Sequence, residues 1–154
     1  MVDVLVVDDH PLLRAGLQCL LDATQDLHVV GATGSGLEAV VLTARLHPDL
    51  VLLDVCMPGM DGVEVIRRVH RLGLPTAVVM LTSSCDATVI EAAFAAGAAG
   101  YLLKDMAPER LLTALRGLED GRPALDPRVA RILVRLARRS PLGLVPGLRH
   151  TTRV

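Results

Sequence analysis

Five short apolar runs recur along the chain: VDVLVV (2–7), LHVVGA (27–32), DLVLL (49–53), TAVVMLT (76–82) and AGYLL (99–103). Most are apolar at successive positions rather than alternate ones, the pattern of strands covered on both faces in a parallel sheet. Between and after them, PLLRAGLQCLLDA (11–23), GLEAVVLTARL (36–46), VEVIRRVHRL (63–72), ATVIEAAFAA (87–96) and PERLLTALRGL (108–118) return apolar residues at helical spacing. The first of these carries Pro11 in its opening turn and Leu13, Leu17, Leu20 and Leu21 along its length, with Asp9 and His10 as candidate caps. Five βα units in succession predict an α/β fold, a doubly wound five-stranded parallel sheet with five helices on its two faces and right-handed crossovers. Phe94 is expected to fill the core between the fourth helix and the sheet.

After Gly121 the texture changes. DPRVARILVRLARR (126–139) places Val129, Ile132, Leu133 and Leu136 on one stripe flanked by arginines, which predicts an extra C-terminal amphipathic helix. SPLGLVPGLRHTTRV (140–154), broken by Pro141, Gly143, Pro146 and Gly147, reads as a flexible tail. The expected organisation is therefore a folded body over 1–121, a basic linker helix over 122–139 and a tail over 140–154.

Composition narrows the class. With 154 residues, 51% of them hydrophobic, the chain is long enough for one buried core. No basic segment precedes the first apolar run, and no apolar stretch reaches roughly 18 residues, so neither a signal peptide nor a membrane span is predicted and a cytoplasmic protein is expected. Cys19, Cys56 and Cys85 are odd in number and unclustered, which argues against a disulfide framework or a zinc site. His10, His28, His47 and His70 show no i, i+4 pair and are not expected to bind metal. Residues 1–121 carry sixteen carboxylates against eight Lys and Arg, whereas 122–154 carry Asp126 against eight arginines. An acidic body thus bears a basic extension suited to an acidic surface.

The candidate chemistry lies at the ends of the runs. Asp8 and Asp9 follow the first, Asp54 the third, and Lys104, the only lysine in the chain, the fifth. A parallel sheet gathers its ligands there, at the carboxyl ends of its strands. Two like charges about 4 Å apart cost roughly 4 kcal/mol at an effective dielectric near 20, so converging carboxylates call for a cation. Oxygen donors select a hard one, Mg²⁺ first and Mn²⁺ as the alternative. Asp9 and Asp61 each precede a helix, where a lone aspartate is ordinarily a cap, but CMPGMDG keeps Asp54 away from the next helix. The conjunction suits a phosphoryl acceptor, because a carboxylate attacks phosphorus when cations neutralise the incoming oxygens. Thr82 would set its hydroxyl beside the new phosphoryl group. Tyr101 reads either as an ordinary half-buried strand tyrosine or as a side chain that turns inward when Thr82 moves.

VDDHP (7–11), LLDVCMPGMDG (52–62), MLTS (80–83) and GYLLKD (100–105) together resemble the receiver domain of bacterial two-component response regulators, over about residues 2–120. VDDHPLLRAGL and YLLKDMAPERL are similar to the NarL/LuxR-type transcription factors in particular. The resemblance implies a flavodoxin-like sheet of order 2-1-3-4-5, phosphorylation of Asp54 by a sensor histidine kinase, and Mg²⁺ bound by Asp9 directly, by Asp8 through water and by the Cys56 backbone carbonyl. It further implies Thr82 as the switch hydroxyl, Tyr101 as the switch aromatic and Lys104 as the phosphate-binding cation. Asp105 departs from the proline that many receivers carry after this lysine, and Cys56 stands where a larger or charged residue is common.

The implied role is a phosphorylation-activated switch in transcriptional control, not an enzyme. Regulators of this type continue into a helix-turn-helix domain, and no recognition helix is legible after residue 139. Sequence-specific DNA binding by this chain is therefore not expected. Phosphorylation-dependent homodimerisation is. Two rivals remain: a stand-alone receiver acting through protein contacts, and an aspartyl-phosphate phosphatase of haloacid-dehalogenase type. The latter needs D-x-D after the first strand, whereas Asp8 and Asp9 are adjacent. GATGSG (31–36) resembles a dinucleotide-binding fingerprint, but its glycines are misspaced and follow the second strand rather than the first.

Overall fold

A computed structural model describes residues 1–139. Strands and helices alternate as β1 (Val2–Val7), α1 (Pro11–Asp22), β2 (Leu27–Thr33), α2 (Gly36–Leu46), β3 (Leu50–Leu53), α3 (Gly62–Arg71), β4 (Ala77–Thr82), α4 (Ala87–Ala96), β5 (Gly100–Leu103), α5 (Pro108–Arg116), β6 (Ala124–Leu125) and α6 (Pro127–Arg139). A short 3-10 turn over Gly117–Asp120 follows α5. All strand pairs are parallel, in the order β2-β1-β3-β4-β5-β6. The chain steps from β1 outward to β2 and returns to β3 on the other side of β1. The topological switch point therefore falls between β1 and β3, whose carboxyl ends carry Asp8, Asp9 and Asp54.

The sheet has six strands among the described residues, not the five expected from sequence. β6 is two residues long, too short for any periodicity to reveal. It pairs Gly100 with Ala124 and Tyr101 with Leu125. Gly100 admits it, because a Cβ at that position would collide with the Ala124 carbonyl oxygen.

The strands alternate between two cores, which is why their sequences do not alternate in polarity. Leu5, Val7, Val51 and Leu53 face a cluster completed by Val65, Ile66, Phe94, Val129 and Leu133, while Val4, Val6, Leu50 and Leu52 face Leu17, Leu21, Leu111 and Leu115. Phe94 is fully buried, as expected. The arginine-flanked stripe also forms as expected. Val129 and Leu133 are buried, Ile132 and Leu136 pack beside them, and α6 lies against α4. Burying such a side chain contributes about 1.5–3 kcal/mol, so α6 is held by the same apolar core as the sheet. The predicted tail over 140–154 lies outside the described residues. Among the described residues no helix is long and apolar enough to cross a membrane.

Candidate functional site

Backbone pairing continues one residue beyond several strands and fixes the functional side chains at one edge. The Asp8 N–H donates to the Thr33 carbonyl at 3.0 Å, the Asp54 N–H to Val7 at 3.0 Å and the Lys104 N–H to Thr82 at 2.9 Å. Asp8, Asp54 and Lys104 thus leave the ladder at neighbouring strand ends.

Their side chains meet. Lys104 Nζ stands 2.9 Å from Asp8 Oδ2 and 3.0 Å from Asp54 Oδ2. The two carboxylates are only 3% and 4% exposed, so this is an ion cluster screened from water rather than a surface pair. Asp8 Oδ1 also accepts the His10 N–H at 2.8 Å, and Asp54 Oδ1 accepts the Cys56 N–H at 3.2 Å. Burial pushes the Asp8 carboxyl up, but the Lys104 and His10 hydrogen bonds and the Lys104 charge outweigh it and hold the group below its ordinary range. Burial likewise pushes the Lys104 ammonium down, and its bonds to Asp8 and Asp54 overcome this and raise it.

Asp9 is treated differently. Its Oδ1 is buried without a hydrogen-bond partner, since His10 Nδ1 lies 3.1 Å away but off the geometry of a hydrogen bond. Asp8, Asp9, His10 and Asp54 each offer a ligand atom, all within 4.8 Å of one another. One ammonium serves two carboxylates while a third is left uncompensated. That donor set, mostly carboxylate oxygen with an orphaned buried acceptor, fits a hard divalent cation. His10, not expected to bind metal from its sequence spacing, comes near this group because it shares the loop of Asp8 and Asp9, and the carboxylates remain the group's oxygen donors. Neither Asp9 nor His10 caps α1, since the residue at the cap, His10, makes no side-chain cap bond. Asp61 does cap α3, accepting the Glu64 N–H at 3.0 Å.

Local sequence builds the loop after β3. The Gly62 N–H donates to the Val55 carbonyl at 3.0 Å, and a Cβ on Gly62 would sit 2.8 Å from the Asp54 carbonyl oxygen. Glycine there lets α3 start directly beneath the Asp54 backbone. Gly59 takes a φ of +90°, which favours glycine, and Cys56 stands in this loop with its side chain exposed.

Thr82 is buried at the end of β4, and its Oγ1 accepts the Ser84 N–H at 3.3 Å. Tyr101 is neither half-buried nor still to turn inward. It is fully buried and donates its hydroxyl to the Ser84 carbonyl at 2.8 Å, and burial raises its phenol far above the ordinary value. The loop between β4 and α4 is thereby tied at Ser84 to both Thr82 and Tyr101.

Residues 4–116 match the response regulator receiver domain. The chain belongs to this family. It is 37% identical over 137 residues to the transcriptional regulatory protein LiaR of Bacillus subtilis, covering 88% of this chain and 65% of that one. It is 38% identical over 130 residues to the nitrate/nitrite response regulator NarL of Escherichia coli, covering 84% and 60% respectively. This receiver therefore spans about two thirds or less of those relatives. Among solved structures, the receiver domain of the putative response regulator NarL of Mycobacterium tuberculosis matches with a TM-score of 0.75 at 38% identity, over 79% of this chain and 98% of that one. A LuxR-family regulator from Aurantimonas matches with a TM-score of 0.83 at 27% identity, over 90% of this chain and 99% of the other. The fold and relatives are those of NarL-type response regulators, phosphoacceptor switches rather than enzymes. Receiver domains generally bind Mg²⁺ at an acidic pocket, which is the setting of Asp8, Asp9 and Asp54 here.

Proposed function

We propose that this receiver takes a phosphoryl group from a phosphohistidine of a sensor kinase onto Asp54. The supporting observation is the single ammonium of Lys104 shared between Asp8 and Asp54 beside an uncompensated Asp9. In the transfer a carboxylate oxygen of Asp54 forms a bond to phosphorus while the N–P bond of the donor breaks, and the imidazole leaves with the electron pair. Positioning and electrostatics carry such a step, so no separate general base is required. Asp8, Asp9 and Asp54, with the Cys56 carbonyl, are the residues that would hold Mg²⁺ or Mn²⁺, which when bound neutralises phosphoryl oxygens. Lys104 exchanges its contact with the Asp54 carboxylate for one with the phosphoryl group.

Thr82 then turns its hydroxyl to donate to the same group, and this turn of Oγ1 pulls on the Ser84 N–H that it accepts, which disturbs the loop that Tyr101 also holds. Phosphorylation in this way shifts a population between two loop arrangements. The output is association of receivers in a regulator of transcription; the transcriptional role is the one that the name of LiaR carries. The intact mass after incubation with acetyl phosphate and Mg²⁺ tests this reading. Wild-type protein should gain one phosphoryl group and Asp54→Asn none. Full labelling of Asp54→Asn would refute the assignment.

A further inference from the structure

The acidic loop must keep its carboxylates together against their own repulsion, and Asp9 has no hydrogen bond through Oδ1 and no capping role to hold it. What restrains it lies behind it. Arg14 stands one turn into α1, and its Nη1 donates to the Asp8 backbone carbonyl at 2.7 Å. That carbonyl belongs to the planar peptide that begins Asp9, so a charge-assisted bond to it fixes the direction in which Asp9 leaves.

The loop after β2 completes the support. A Cβ on Gly34 would sit 2.9 Å from Arg14 Nη1, 3.3 Å from the Asp9 Cα and 3.4 Å from the Asp8 carbonyl oxygen. Gly34 therefore supplies space rather than an unusual backbone angle, and this accounts for a glycine of the GATGSG segment that no dinucleotide explains. Gly36 does the same further along, where a Cβ would meet Val65 Cγ2 at 2.9 Å.

We propose that Arg14 is a positioning residue for the cation site, holding the Asp8–Asp9 peptide against the surface that Gly34 keeps open. The inference rests on the proposed cation site, and groups that orient metal ligands are commonly worth 10- to 100-fold in affinity. The test is the Mg²⁺ dissociation constant, read from the rise in unfolding midpoint of the full chain with Mg²⁺, for wild type, Arg14→Met, Gly34→Ala and the double variant. Each single change should weaken Mg²⁺ about 10-fold. The double variant should be no weaker than either one, since both break the same contact. The labelling rate of Arg14→Met should need more Mg²⁺ for half-saturation yet reach the wild-type plateau, a split that a merely structural arginine would not produce.

A dissociation constant for Arg14→Met within twofold of wild type would overturn the proposal. So would an equal loss of stability with and without Mg²⁺. If wild type binds Mg²⁺ but Asp54 takes no label, the phosphoacceptor reading fails while the Mg²⁺ affinities still decide this one. If wild type binds no Mg²⁺, both fall.

Discussion

Replacing Asp9 with Asn should make the metal-free protein more stable, although it removes a residue of the candidate site. The Lys104 ammonium is engaged by Asp8 at 2.9 Å and by Asp54 at 3.0 Å, so the neighbours of Asp9 amount to two negative charges and one positive. Their ligand atoms lie within 4.8 Å of its own. One net charge at that range costs roughly 3 kcal/mol at an effective dielectric near 20 and under about 1 in bulk water. The Asp9 side chain is 29% exposed and falls between these limits. The expected gain is therefore about 1–3 kcal/mol, or roughly 3–10 °C in unfolding midpoint for a domain of this size. Millimolar Mg²⁺ should reverse the order of advantage, because a cation at concentration c that binds only the native state stabilises it by RT ln(1 + c/Kd), which keeps rising with concentration above Kd. Wild type should gain stability on addition of Mg²⁺ and Asp9→Asn should gain little. Thermal unfolding of both proteins in EDTA and in Mg²⁺ checks this. A metal-free Asp9→Asn less stable than wild type, or one keeping the full Mg²⁺ response, would refute the reasoning.

Lys104→Met leaves two buried carboxylates without their cation and should cost at most about 3–5 kcal/mol near neutral pH, measured by urea unfolding. Asp8 is held below its ordinary range, so its contribution is present above the unfolded-state pKa near 3.9 and is lost as pH falls through the lower folded value. Lys104 is held above its own, so its contribution is complete below about 10.4 and is lost as pH climbs through the higher folded value. The gap between wild type and Lys104→Met should accordingly narrow at both extremes, and a gap independent of pH would count against the cluster. Leu133→Ala, on the α6 stripe, should lower stability by about 2–5 kcal/mol with no change in Mg²⁺ affinity. A loss below about 0.5 kcal/mol, typical of surface positions, would mean that α6 does not share the core.

What was legible in the sequence is what local pattern dictates. β1 and β3 were visible because residues such as Val4 and Leu5 serve opposite faces and both must be apolar. Asp8, Asp54 and Lys104 were visible because a parallel sheet aligns strand ends, so three residues distant in sequence share one edge. What escaped depends on contacts with no sequence period. β6 exists because Gly100 leaves room for Ala124, which its own two residues do not announce. The hydroxyl of Tyr101, buried in the core, finds its acceptor in the Ser84 carbonyl seventeen residues away. The Arg14 bond to the Asp8 carbonyl runs from a side chain to backbone and leaves no mark in composition.

The basic segment shows how charge counting and geometry part company. From sequence its arginines read as a positive face awaiting an acidic partner, yet Arg128 meets acids of its own chain. Its guanidinium stands 2.9 Å from Asp126 Oδ2 and donates to Asp105 at 3.0 Å through Nη1. Asp126 in turn donates its N–H to the Tyr101 carbonyl at 3.1 Å and accepts the Arg128 N–H at 2.8 Å, so it joins β5 to the first turn of α6. Arg128 is too exposed for these pairs to carry the docking of the helix. Val129 and Leu133 carry it, through burial in the core beneath α4. Asp126, which accepts the Arg128 N–H, stands where the helix begins. Asp105, the other acidic partner of Arg128, directly follows Lys104, so the first turn of α6 touches the residue next to the site's ammonium.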